Sequence, residues 1–572
     1  MSASSSEPEG DDSAEHSKDD ERASRRKPST DDAAHVSSAP HACCGRPSQS
    51  PSRDVVSFAE GDPDNPYNWS RAKKSFVVTL GVVLVINSTI GSSIASGTPV
   101  QVANYFDNHN EYQLVLPISI YLVGYVLGPL VFGPLSESYG RKRVMIGTFA
   151  IFTVFTLGCA LAPTFAAYIV FRFLVGIGAS SPISVVGGIY ADVYDDPTTR
   201  GRAMSIFMTA TTWGPLIGPT LSGFVSPALG WRWVYWIALI FAGACWPVLL
   251  FSPETYAPTI LTRRAARLRR NTGNPNIVSP QELEPRDLKN LFTAVLTRPV
   301  RMFLFEPLVL LTCAYLGFAY AIFYMFFQAY PLIYPDVYGF NFGETGLAFL
   351  PVGVGAFIAC GIYLYWDYVL ERAKLRDTPW SRIEEYRRLP LACIGGPAFV
   401  ISLFWIGWTA RAGVHWIVPI LSALPFGVGF LLLFMALLNY LVDAYDVYAA
   451  SATAASAFSR SLFGAVLPFG ARPMYTNLGV PWACSLLGFL SLALCVIPFA
   501  FIKYGDWLRE RSPFCRELKA KRLEREARRS TASAAAASTT FEEPGDVEAN
   551  VEGQGPVQEK VKETGTAHKE SV

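Results

Sequence analysis

Residues 133–144 read Gly-Pro-Leu-Ser-Glu-Ser-Tyr-Gly-Arg-Lys-Arg-Val, and the stretch stands between two long apolar runs. It gathers an acid, Glu137, and three consecutive bases, Arg141, Lys142 and Arg143, around Gly133 and Gly140. Pro134 ends a helix and Gly140 permits a sharp turn, so the two runs are expected to fold back on each other through a very short connection. Each run is long enough to cross the ~30 Å hydrocarbon core of a bilayer. The stretch therefore reads as a loop at a membrane surface, and the rest of the chain repeats the theme.

The chain has 572 residues, of which 51% are hydrophobic and only 17% charged. Soluble domains carry about 25% charged residues. Apolar runs recur at approximately 74–97, 113–134, 144–162, 166–190, 203–226, 233–252, 302–328, 344–366, 389–410, 415–438, 447–470 and 480–504. The pattern predicts an all-α polytopic membrane protein with twelve spans, six on each side of a polar segment, as two bundles related by an internal repeat. The expected domains are an N-terminal bundle at 71–252, a central loop at 253–301 and a C-terminal bundle at 302–504. Tails at 1–70 and 505–572, rich in Ser, Glu, Asp, Lys and Arg, are expected to be disordered.

Lys and Arg crowd before span 1 (Arg71, Lys73, Lys74) and after spans 2, 4 (Arg200, Arg202), 6 (Arg263, Arg264, Arg267, Arg269, Arg270) and 8. By the positive-inside rule both termini are expected in the cytoplasm, which an even number of spans requires. The start, MSASSSEPEGDD, lacks a basic stretch followed by an apolar core, so no cleavable leader is expected. The central segment 262–296 reads either as short interfacial helices with arginines near acidic headgroups or as a solvated linker. Most cysteines fall in apolar runs and are expected to pack as small apolar residues, while Cys43-Cys44 is a candidate for acylation.

An anchor at the membrane surface needs only bases. The acid and the glycines at their spacing ask for more. The stretch resembles the loop 2–3 signature of the major facilitator superfamily, with Glu137 where most members carry Asp. The resemblance implies that Gly133, Glu137, Gly140, Arg141, Lys142 and Arg143 form a charge relay latching the two halves during alternating access. It also implies a basic partner for Glu137, with Arg200 or Arg202 as the candidates.

Span 4 carries Arg172 inside an apolar helix. A charge there costs at least about 2.5–3.5 kcal/mol on an insertion scale, so it should face a cavity or a partner. Span 5 carries Gly214-Pro215-Leu216-Ile217-Gly218-Pro219. Glycines allow close helix approach and prolines remove backbone donors. The arrangement resembles the span-5 signature of drug:proton exporters. NPYNW at 65–69, GWRWVYWI at 230–237, PETYAPTIL at 253–261 and NYLVDAYDVYAASA at 439–452 resemble the fungal drug:H+ antiporter branch with twelve spans, over roughly residues 60–505. That branch includes multidrug, polyamine and metabolite exporters.

Polar and aromatic groups near the midplane are the candidate substrate or proton pathway: Asn87, Tyr121, Tyr125, Arg172, Tyr320, Tyr324, Gln328 and Arg460. Coupling acids are sought at Glu306, Asp443 and Asp446, since no acid stands near a span centre. Two arginines within spans favour anionic or neutral amphipathic substrates. The expected function is export of a secondary metabolite, organic acid or xenobiotic by alternating access with proton antiport. A dedicated organic-acid or glycolipid exporter, a nutrient permease and a transporter-like sensor are the alternatives. No metal cluster or nucleophile motif is visible, so no enzyme, metal or cofactor is expected. The expected partners are a small-molecule substrate, protons and the bilayer, with no nucleic acid, for a monomer in the plasma or vacuolar membrane.

Overall fold

The computed structural model of the protein describes residues 54–283, 288–445, 448–517 and short pieces up to 531. Cys43, Cys44 and Asp446 lie outside the described residues. The first six spans are the helices Arg71–Ser93, Glu111–Leu127, Arg141–Leu161, Phe165–Val193, Pro197–Leu229 and Trp231–Phe251. Span 2 continues through a wider turn at Gly128–Phe132 into Gly133–Tyr139. The second six are Pro307–Tyr338, Phe342–Leu375 with a break after Leu347, Glu384–Thr409, Ile417–Tyr445 with a break at Ser422, Ala449–Val466, and the part of Ala471–Arg511 beyond Gly479.

Among the described residues, ten helical stretches are long and apolar enough to cross a membrane. One of them, Ala449–Arg511, holds spans 11 and 12, which are separated by the turn Leu467–Gly470 and the non-helical Gly479. Span 5 is not among the ten, because Thr, Gly and Pro dilute its apolar residues, yet its helix is 33 residues long. The total is twelve. Residues such as Val154, Ile240, Phe357 and Val496 are exposed on the outside of the bundle, where lipid replaces water.

Helices alternate in direction, which gives the bundle two ends. One, the basic end, carries Arg141, Arg202, Arg264 and Arg388; the other is called the far end. Spans 1 and 5, 2 and 4, and 3 and 4 pack within the first half, and spans 7 and 11, 9 and 10, and 9 and 12 within the second. The halves meet along span 2 against span 11 and span 5 against span 8.

Residues 54–69, assigned by composition to the tail, take defined positions. Asp54–Val55 pairs in parallel with Ile277–Val278 of the central segment. Asp62 bonds Arg264, whose guanidinium holds the carboxyl below the usual range. The central segment forms a helix, Ala257–Thr272, that buries Thr259, Leu261 and Ala265. Arg263 pairs with Glu254 at 3.6 Å and Arg269 with Glu282 at 2.7 Å. Of the two readings of this segment, helix is the one adopted. The last helix runs to Arg511, beyond the span end expected at 504. All eight described cysteines are free thiols.

Candidate functional site

A cavity of about 460 Å³ lies between the two halves. It opens at the basic end, where Gly133, Glu137 and Arg141 of the first half face Asn439, Val442 and Ser451 of the second. Its inner wall is mostly apolar, with Phe207, Met208, Phe323, Phe430 and Phe434, and its polar groups include Thr89, Tyr320, Tyr324 and Arg460. The volume falls in the range of pockets that enclose drug-sized molecules.

The cavity has a roof. Ser92 of span 1 and Tyr324 of span 7 join across the halves, hydroxyl to hydroxyl, at 2.8 Å. Beyond it, toward the far end, the Thr220 hydroxyl of span 5 donates to the carbonyl of Gly346 in span 8 at 2.9 Å. Arg472 meets Glu111 at 2.8 Å. At the basic end the halves are tied at the rim, where Arg202 of span 5 meets Asp367 at 3.2 Å and Glu371 at 3.1 Å in span 8. The molecule is thus open at one end and sealed at the other.

Of the eight pathway candidates, three line this cavity: Tyr320, Tyr324 and Arg460. The two tyrosine rings are 4.8 Å apart and their hydroxyls 3.4 Å apart. Gly464, one turn beyond Arg460, lies against the Tyr320 ring. The other five lie elsewhere. Asn87 points its amide at Cys245 of span 6, 3.7 Å away. Tyr121 and Tyr125 donate to the carbonyl of Ser88, at 2.6 and 3.0 Å, between spans 1 and 2. Gln328 is half-buried outside the cavity wall.

Arg172 also lies away from this wall. It is 1% exposed and does not border the cavity. Its guanidinium donates to the carbonyls of Pro117 and Gly91, each at 2.8 Å, and lies over the Tyr121 ring at 4.6 Å. Among the described residues, backbone oxygens and an aromatic face, and no acid, accommodate this charge. Of the expected coupling acids, Glu306 and Asp443 are also away from the cavity wall. Glu306 is buried and accepts from the Tyr445 hydroxyl at 2.8 Å. Asp443 pairs with Arg388 at 3.3 Å.

The sequence profile of the Major Facilitator Superfamily matches residues 80–468. The MFS-type efflux pump MFS2 of Trichophyton rubrum is 39% identical over 466 residues, covering 81% of this chain and 78% of that protein. The chain belongs to the major facilitator superfamily. It is also 39% identical over 468 residues to the efflux pump FUBT of Fusarium oxysporum, covering 81% of this chain and 78% of that protein. Polyamine transporter 3 of Saccharomyces cerevisiae is 35% identical over 469 residues, with 81% and 74% covered. Among solved structures, the proton:xylose symporter XylE bound to 6-bromo-6-deoxy-D-glucose superposes with a TM-score of 0.54 at 16% identity, covering 76% of this chain and 97% of that one. The human organic anion transporter MFSD10 gives 0.53 at 18% identity, with 74% and 99% covered. The protein is a multi-pass membrane transporter of small molecules and not an enzyme.

The superfamily loop of residues 133–144 is wired differently from expectation. Glu137 meets Arg141, 3.6 Å away and one turn on, not Arg200 or Arg202. Arg141 also meets Asp192 at the end of span 4 at 3.1 Å and the Ser136 hydroxyl at 2.7 Å. Its backbone N–H donates to Glu254 at 2.8 Å, and Lys142 reaches the carbonyl of Leu250 at 2.8 Å. Arg143 is exposed. These partners all belong to the first half and the segment after it, so in this state the loop closes one half upon itself. The rim tie between halves is made by Arg202. Gly140 adopts φ 95°, and a Cβ there would stand 2.5 Å from Glu254.

Sequence reasoning missed Asp192, Glu254, Asp367 and Glu371. The signal for Glu254 was present, an acid in the first turn beyond span 6. Glu254→Ala removes the acceptor of the Arg141 and Tyr256 N–H groups. It is expected to cost about 1–3 kcal/mol, with Glu254→Gln losing less because an oxygen remains. Thermal unfolding in detergent measures both.

The span-5 signature has a local role. A Cβ on Gly214 would stand 1.9 Å from the Thr89 hydroxyl, and one on Gly218 2.1 Å from that of Ser93. Both glycines therefore let span 5 lie directly against span 1. Pro215 borders the cavity, and the carbonyl of Pro219 faces Gly346 of the other half.

Proposed function

We propose that this protein exports small organic molecules by alternating access, in exchange for protons. The observation that carries the reading is the cavity between the halves, open at the basic end and roofed by Ser92 and Tyr324. Lys and Arg favour the cytoplasmic side, so the open end is read as facing the cytoplasm, with both termini there. A substrate then enters from inside the cell, and closure of the rim with opening of the far end releases it outside. The relatives named as efflux pumps and the resemblance of Gly214-Pro215 and Gly218-Pro219 to the signature of proton-driven exporters support export and antiport. One chain supplies both walls of the cavity, which supports a monomer. The plasma membrane is the compartment that export from the cell requires.

The test uses inside-out vesicles with an acidic lumen and trapped pyranine. 4-Phenylbutane-1-sulfonate, rhodamine 6G and spermidine are added in turn, and uptake and luminal pH are followed. At least one is expected to accumulate and to discharge the acid faster than in vesicles carrying Thr453→Trp, which fills the cavity. Accumulation indifferent to the pH gradient overturns antiport. Equal accumulation by wild type and Thr453→Trp overturns the cavity as the route.

A further inference from the structure

Arg460 differs from Arg141, the other described arginine of the cavity wall, and from the paired arginines around it. Arg141 is bonded to Asp192 and Ser136, and Arg172 to three carbonyls. Arg202 meets Asp367 and Glu371, and Arg388 meets Asp443. Arg460 is half-buried in the cavity wall, and among the described residues no carboxylate, carbonyl or hydroxyl accepts from it. Glu137 is the one described carboxylate in that wall, and it stands at the mouth against Arg141.

A guanidinium keeps its charge at any physiological pH and offers five N–H donors in a planar fork. Held in a low-dielectric wall without an acceptor, it is costly, and a counter-anion relieves that cost. The surroundings say what the rest of that anion looks like. Phe323, Phe430 and Phe434 face the same space, and the Tyr320 and Tyr324 hydroxyls stand beside the charge. We infer that the transported substrate is an amphipathic organic anion, whose acidic head pairs with Arg460 while its apolar body lies against the phenylalanines. The inference rests on the reading that this cavity is the transport site. Carboxylate, sulfonate and phosphate heads all match the fork. A polyamine does not, since it would bring a second positive charge to an uncompensated one.

The experiment measures ligand-induced thermal shifts of the purified full-length protein in detergent at neutral pH. The probes share a four-carbon chain and a phenyl ring: 4-phenylbutane-1-sulfonate, methyl 4-phenylbutyrate and 4-phenylbutylamine. The sulfonate is expected to bind wild type at least tenfold more tightly than the ester or the amine. Arg460→Gln is expected to remove that preference and leave the ester unchanged, and Arg460→Lys to restore part of it. Size-exclusion profiles confirm that the variants are folded.

Thr453→Trp separates the two readings. Loss of all binding in Thr453→Trp, with no preference for the sulfonate in wild type, overturns the anion inference and leaves the cavity standing. Sulfonate binding that survives Thr453→Trp overturns the cavity, and the anion site with it. A preference for the sulfonate that persists in Arg460→Gln also overturns the assignment to Arg460. Failure of the sulfonate to bind wild type overturns it outright.

Discussion

Gly346→Leu is expected to stop transport and to trap the protein with its far end open. Gly346 of span 8 lies against the backbone of span 5, and a Cβ there would stand 2.6 Å from Thr220 Cα and 2.8 Å from the carbonyl of Pro219. Backbone cannot swing aside as a side chain can, so the added atoms must push the halves apart. The same contact holds the bond from Thr220 to the Gly346 carbonyl, which would go with it. Overpacking costs about 1–3 kcal/mol, enough to shift the balance between the two access states by roughly 5- to 150-fold. A cysteine at position 453, in the cavity wall, reports the outcome. Maleimide from the basic side should label it more slowly, and maleimide from the far side faster, than in the parent. Gly361→Leu in the same span, with nothing within 4 Å of its Cβ position, should leave both rates alone. Unchanged labelling in Gly346→Leu would mean that this contact plays no part in closure.

The spans were legible because the bilayer imposes them. An element that must satisfy its own backbone over ~30 Å leaves an apolar run of known length. Even span 5, diluted by Thr, Gly and Pro, was recognisable, since its glycines and prolines form a pattern of their own. The partners of the charges were not legible. In sequence, Arg172 and Arg460 are alike, each a single base in a helix of small and apolar residues. Their fates diverge because span 4 brings Arg172 against the carbonyls of Gly91 and Pro117, and among the described residues nothing similar approaches Arg460. Such contacts belong to tertiary packing.

The loop at 133–144 shows the same limit. Its acid, bases and glycines announced a turn with a charge relay. That Glu137 would bond within its own turn, and that Asp192 and Glu254 would receive Arg141, depended on where the ends of spans 4 and 6 came to rest. Tyr320 and Tyr324 were found because an i, i+4 pair shares a helix face wherever that helix is placed.

Arg172→Ala is expected to reduce transport at least 100-fold while the protein still inserts and folds. The reason lies in its own bonds. Arg172 holds the carbonyl of Gly91 and, at 3.5 Å, that of Ser92, whose hydroxyl is the half of the roof that meets Tyr324. Removing the guanidinium leaves three buried carbonyls without their side-chain donor, a loss of about 1–3 kcal/mol each, and frees this turn of span 1 to shift. Arg172 lies outside the cavity, so the defect should appear in the access cycle and not in binding. The sulfonate probe should bind Arg172→Ala about as well as wild type, while far-side labelling of the cysteine at 453 should rise. Arg172→Lys should rescue little, because a single ammonium cannot reproduce a fork that reaches spans 1 and 2 together. Binding lost in step with transport would instead make Arg172 part of the substrate site, and wild-type transport by Arg172→Ala would show that the roof stands without it.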